Sequence, residues 1–125
     1  MLNVPLSVIF LHFVGDWFLQ SDWMALNKSK RWDALLVHCL VANFVLSFYS
    51  AKLALWAFLF HFVIDAVTSR ITTKLWFIEF AYNAGSEPWP FYARMRDTRH
   101  WFFVVIGLDQ FLHYLSFAVI LRFLL

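Results

Sequence analysis

The sequence predicts an all-α polytopic membrane protein, a four-transmembrane-helix bundle with amphipathic cytoplasmic connections. Three observations carry that reading. Of 125 residues, 62% are hydrophobic and only 14% are charged, with a mean hydropathy of +0.67; ordinary soluble domains carry about a quarter charged residues. Four long apolar stretches follow one another in a chain the size of a single domain. The basic residues are also distributed asymmetrically between the connections.

The first stretch covers residues 2–19. It lacks a positive leading region and a small-residue cleavage site, so a retained helix is expected rather than a signal peptide. The second covers residues 34–49 and the third residues 53–67. Only Ser50-Ala51-Lys52 separates these two, which predicts a tight helical hairpin. The fourth covers residues 101–125. A span needs about 20 apolar residues, so the second and third are short for a bilayer of ordinary thickness. Between the spans, residues 22–28 suit a short interfacial helix. The 75–99 stretch mixes Trp76, Phe77, Phe80, Tyr82, Trp89, Phe91 and Tyr92 with bases and is interrupted by Pro88 and Pro90.

Lys28, Lys30, Arg31, Arg70, Lys74, Arg94, Arg96 and Arg99 all fall in the 20–33 and 68–100 connections, leaving Lys52 and Arg122 for the other side. The positive-inside rule then puts both connections in the cytoplasm and both termini outside, in a membrane such as the bacterial inner membrane. The bilayer is the expected partner and nucleic acid is not. Cys39 stands alone and reads as a small buried apolar residue, without a disulfide.

Each apolar stretch carries ionisable groups: His12 with Asp16, His38, His61 with Asp65, and Asp109 with His113. Such groups cost roughly 2.5–3.5 kcal/mol each at a span's centre on insertion scales, so they rarely sit there idle. A spacing of four places each His/Asp pair on one helix face, one turn apart. On the expected topology all seven lie in the cytoplasmic half of the bilayer, at similar depth. Imidazole and carboxylate converging from four helices are divalent-metal chemistry. Zinc, manganese, iron and nickel all suit the set, as one ion or as two. Asp16 or Asp109 would act as general base instead of ligand. Gln20, Gln110 and Arg70 extend the same faces toward the cytoplasm and are the substrate-binding candidates, with Arg94 and Arg96 as further anion-holding bases. His100 lies apart, at the interface.

These residues suit a membrane-embedded metal-dependent hydrolase acting on a lipid-like or phosphorylated substrate. They also suit a non-enzymatic protein, in which a structural metal or polar network stabilises the bundle and the cytoplasmic face binds a partner. Ion or proton transport is the third reading, with a homo-oligomer supplying the room that four short spans lack.

The run from His12-Phe-Val-Gly-Asp16 through Gln20 and Met24 to Lys28 resembles the opening motif of small bacterial and phage membrane proteins grouped as "domain of unknown function 3307". His61-Phe-Val-Ile-Asp65 and Leu108-Asp109-Gln110-Phe-Leu-His113 resemble two further motifs of that family, and His38 stands where it places a histidine on the second helix. The resemblance covers nearly the whole chain. A lysine often follows the third-helix aspartate in that family; here Thr68-Ser69-Arg70 stands there. The His/Asp layout is more distantly similar to membrane-bound metal-dependent hydrolases, which implies metal-assisted hydrolysis by analogy.

Overall fold

The structure, a computed structural model, describes residues 3–83 and 98–125. It is all-helical among the described residues. In order, α1 spans Leu6–Phe13 and widens into a π-helical turn at Val14–Phe18; α2 is Asp22–Asn27, α3 is Trp32–Leu46, α4 is Ala51–Asn83 and α5 is Thr98–Val119, closing in a second π-helical turn at Ile120–Leu124. Arg94, Arg96, Trp89, Phe91, Tyr92, Pro88 and Pro90 lie outside the described residues.

Local chemistry sets most of these boundaries. Pro5, which fixes φ and lacks an N–H, precedes α1 at φ −58°. The Ser21 hydroxyl caps α2 by accepting from the Met24 N–H at 3.2 Å. At the far end of α3 the N–H groups of Ser47, Phe48 and Tyr49 turn back three residues, onto Phe44, Val45 and Leu46 carbonyls. Ser50 then caps α4, its hydroxyl accepting from the Leu53 N–H at 3.3 Å. The α3–α4 hairpin is therefore as tight as the sequence reading expects.

The third helix differs from that reading. It does not stop near residue 67 but runs 33 residues to Asn83. Thr68, Ser69 and Thr72 look like connection residues, yet their hydroxyls donate to carbonyls of the preceding turn, at Ile64, Asp65 and Ser69. Polar side chains that bond back in this way sit in a helix without ending it. The first helix also differs, since it loses regular α geometry at Val14.

Two segments are long and apolar enough to cross a membrane: Ala51–Phe77, with 27 residues, and His100–Leu124, with 25. Leu6–Phe18 and Trp32–Leu46 are shorter apolar helices. Large apolar side chains cover the outside of the bundle, among them Phe10, Phe44, Leu55, Val63, Phe103 and Phe111. The apolar core gathers at one end, where Val8, Leu46, Leu53, Ala57, Phe117 and Ile120 pack together. Deeper toward the α2 end, the interior is polar instead.

Candidate metal centre

Gly15 determines how closely the π-helical turn after α1 approaches α3. A Cβ at that position would stand 2.3 Å from the Ala42 carbonyl oxygen and 2.9 Å from its Cα. Only a residue without a side chain permits this contact. The π-helical turn carries the next residue, Asp16, into the bundle, where it is 6% exposed. Such turns often occur at functional positions, because the extra residue redirects the side chain.

The buried side chains converge. Asp16 Oδ1 lies 3.0 Å from His38 Nε2 and 3.3 Å from His61 Nε2. Asp65 Oδ2 lies 3.1 Å and 3.5 Å from the same two nitrogens. The second oxygen of each carboxylate faces elsewhere: Asp65 Oδ1 is 3.1 Å from His113 Nε2, and Asp16 Oδ2 is 3.7 Å from His12 Nε2. His113 Nε2 also stands 3.5 Å from Asp109 Oδ2. All seven sequence-predicted ligands thus meet, from α1, its π-helical turn, α3, α4 and α5.

Three overlapping groups result, Asp16-His38-His61-Asp65, His12-Asp16-His113 and Asp65-Asp109-His113, each with ligand atoms within 4.8 Å of one another. Any of the three could hold a metal ion. In the first, Asp16 Oδ1 and His61 Nε2 are buried and make no hydrogen bond despite their proximity.

Gln110 threads the rest of the set. Its amide donates to Asp16 Oδ2 at 3.2 Å and to Asp109 Oδ2 at 2.9 Å, and its carbonyl oxygen lies 3.3 Å from His12 Nε2. The Thr68 hydroxyl shares its one proton between the Ile64 carbonyl and the other Asp109 oxygen. Gln20 lines the adjoining cavity, and its Oε1 is buried without a partner. Arg70 does not join them. Its guanidinium stacks 4.1 Å above the Trp32 ring and donates to the Ala66 carbonyl at 2.6 Å. Cys39 is fully buried.

Sequence reasoning missed two participants. Asn43 Nδ2 lies 3.2 Å from His61 Nδ1 and donates to the Cys39 carbonyl at 2.7 Å. Nothing in its apolar neighbourhood singles it out, apart from its being the one amide on α3. In the sequence Lys28 reads as one of the bases that orient the chain and as the last residue of the family-like opening motif, not as a member of the donor set. Its ammonium reaches Asp65 Oδ2 at 3.2 Å and approaches His38 Nε2 at 3.4 Å. Burial works against that charge, but the carboxylates of Asp65, Asp16 and Asp109 outweigh it and raise the lysine pKa above its ordinary value. The Ser21 N-cap, which starts the short α2 that ends beside Lys28, was the available signal.

A cavity of about 230 Å³ opens beside the donors. Asp16, Asp65, Asp109, Gln20, Lys28 and Thr72 form its polar wall, and Trp17, Phe102 and Ile106 its apolar one. Compared with known sequences, residues 5–125 match the family described as "Protein of unknown function (DUF3307)". No curated protein and no solved structure matches the chain.

Proposed function

Since the chain belongs to the DUF3307 family of unknown function, its activity has to be argued from the site, and we propose a membrane-embedded metal-dependent hydrolase acting on a phosphorylated or lipid-like substrate. One observation carries this reading. The four contacts linking Asp16 and Asp65 to His38 and His61 measure 3.0, 3.1, 3.3 and 3.5 Å. Ligands about 2.0–2.1 Å from a tetrahedral ion stand roughly 3.3–3.4 Å apart, so these spacings are close to the edges of a filled coordination sphere. Asp65 and Asp16 each present a second oxygen to the neighbouring group, which suits one ion or two bridged ions.

A divalent ion held there would acidify a water and polarise a phosphoryl or acyl oxygen. The chain's own contribution is orientation. Asp109 is the carboxylate best suited to take a proton, because its side chain, 16% exposed, is the least buried of the three that border the cavity and is held by Gln110. Asp16 points its oxygens at histidines and serves as a ligand. The mixed cavity wall suits a polar head beside an apolar chain.

The membrane topology belongs to the same proposal: four spans, termini outside and connections cytoplasmic. The apolar outer surface supports it, as does the placement of basic residues near α2, in the second half of α4 and at the start of α5. Leu6–Phe18 and Trp32–Leu46 would cross a locally thinned bilayer.

Two observations favour the other reading, a structural polar network. Lys28 already supplies a cation to Asp65. An Asn43 amide that donates to His61 Nδ1 leaves the ring proton on Nε2, where it would serve Asp16 or Asp65 instead of a metal. Turning the Asn43 amide would place its oxygen on Nδ1 and free Nε2 for ligation, but at the cost of the Nδ2 bond to the Cys39 carbonyl.

The deciding experiment is metal analysis by mass spectrometry on detergent-purified protein, beside a His61→Ala, Asp65→Ala double variant. One or two equivalents of a transition metal, absent from the variant, support the hydrolase and lead to assays on phosphate and ester lipids. A folded wild type that stays metal-free after reloading overturns it in favour of the network.

A further inference from the structure

Lys28 is the one basic residue lining the cavity among the described residues. Its neighbours in sequence are engaged elsewhere. Lys30 lies over the Phe77 ring at 5.5 Å, and Arg31 pairs with Asp33 at 2.7 Å on the surface. The backbone holds this division in place. The Lys28 N–H bonds to the Met24 carbonyl, while those of Lys30 and Arg31 both turn back onto Asn27. Lys28 is thereby aimed inward from the end of α2.

The two atoms nearest its ammonium, Asp65 Oδ2 and His38 Nε2, belong to the four-donor group described above. A lysine and a divalent ion cannot share those atoms, because both are cations and each needs the same lone pairs. Lysine differs from arginine here in having a compact charge on a flexible four-carbon stem, which can swing without rebuilding a fork of hydrogen bonds. The space open to it is the adjoining cavity, bordered by Gln20 and Thr72.

Building on the metal reading, we propose that Lys28 is the anion-binding group of this site: with a divalent ion on the Asp/His donors, its ammonium holds an anionic oxygen of a phosphate ester in the cavity. The charges agree with this. One divalent ion and Lys28 together offset the three carboxylates Asp16, Asp65 and Asp109, so an incoming anion meets no net negative wall. Trp17, Phe102 and Ile106 leave an apolar flank for the remainder of the ligand.

The test uses zinc-loaded, detergent-purified full-length protein, with zinc content measured on every sample. Inorganic phosphate and a short-chain phosphatidic acid are titrated separately by calorimetry into wild type, Lys28→Met, Lys28→Gln and Lys28→Arg. The proposal expects wild type to bind at least one probe. Lys28→Met and Lys28→Gln should keep their zinc and lose about tenfold or more in affinity, and Lys28→Arg should recover only part of it. Stronger binding of the phosphatidic acid assigns a lipid headgroup, and stronger binding of phosphate a soluble ester. Zinc-loaded Lys28→Met or Lys28→Gln that binds as tightly as wild type overturns the role of Lys28 and leaves the metal reading standing. Zinc-loaded wild type that binds neither probe has the same effect. A wild type that takes up no zinc overturns both.

Discussion

Gly15 meets the backbone of Ala42 with nothing between them, and a single methyl group at Gly15 would overlap the Ala42 carbonyl oxygen. The neighbouring Asp16 reaches His38 because of that contact. Forcing the two helices apart therefore disturbs packing and donor geometry together.

Gly15→Ala should destabilise the protein by about 1–3 kcal/mol, the usual cost of overpacking, and reduce bound metal in parallel. Gly107→Ala is the control. No atom lies within 4 Å of a Cβ there, and replacing an exposed helical glycine gains up to about 1 kcal/mol. Thermal unfolding in detergent reads both. Equal melting temperatures for wild type and Gly15→Ala would refute the close approach.

Added zinc should raise the melting temperature of wild type but not of the His61→Ala, Asp65→Ala variant. The linkage relation gives about 2.7 kcal/mol of stabilisation at a hundred times Kd. A chelator should reverse the shift. A zinc response that survives in the double variant would place binding elsewhere on the chain.

Lys28→Met should separate the two ways of neutralising Asp65. Without metal, the variant loses the only ammonium among the described residues that reaches that buried carboxylate and should be less stable than wild type by about 3 kcal/mol or more. With zinc bound, the gap should close, and by reciprocity zinc affinity should rise by the same free energy, about 150-fold for 3 kcal/mol, because a competing cation is gone. A stability gap that persists at saturating zinc would mean that Lys28 stays in place.

Asn43→Asp tests the His61 tautomer. A carboxylate beside Nδ1 would hold the ring proton there and present Nε2 as a bare lone pair. Zinc should bind more tightly to this variant than to wild type, by about tenfold. Weaker binding would favour the hydrogen-bonded network over the metal centre.

Arg70→Ala should leave zinc content and anion affinity within about twofold of wild type, since the guanidinium stacks on Trp32 outside the cavity. Its cost should appear in stability, at about 0.5–1 kcal/mol for an exposed cation–π contact. A tenfold loss of anion affinity would return Arg70 to the binding site.

The His/Asp set was legible because helical periodicity is local. His61 and Asp65 must share a face whatever the helix packs against, and the same holds for Asp109 and His113. What brings the faces together is not local. The inward rotation of Asp16 depends on a π-helical turn and a glycine contact with a residue 27 positions away. The end of α4 was misread for a related reason: Thr68 and Ser69 look like loop residues until their hydroxyls are seen bonding to the turn before. Lys28 reads in the sequence as an orienting base and the end of a motif. Its reach into the donor set follows from where α2 ends, which composition does not encode.

The allocation of carboxylate oxygens has a further consequence for how the chain can vary. Regarded as a graph, the four histidines are vertices and Asp16 and Asp65 are its two hubs, with His12 hanging from one and His113 from the other. Deleting a histidine removes one vertex and leaves the rest connected. Deleting Asp16 leaves His12 without a carboxylate, deleting Asp65 leaves His113 only its 3.5 Å contact with Asp109, and either change halves the links at His38 and His61. In a saturation-mutagenesis screen, tolerance should therefore fall most sharply at the two aspartates, with the histidines forming a second and shallower tier.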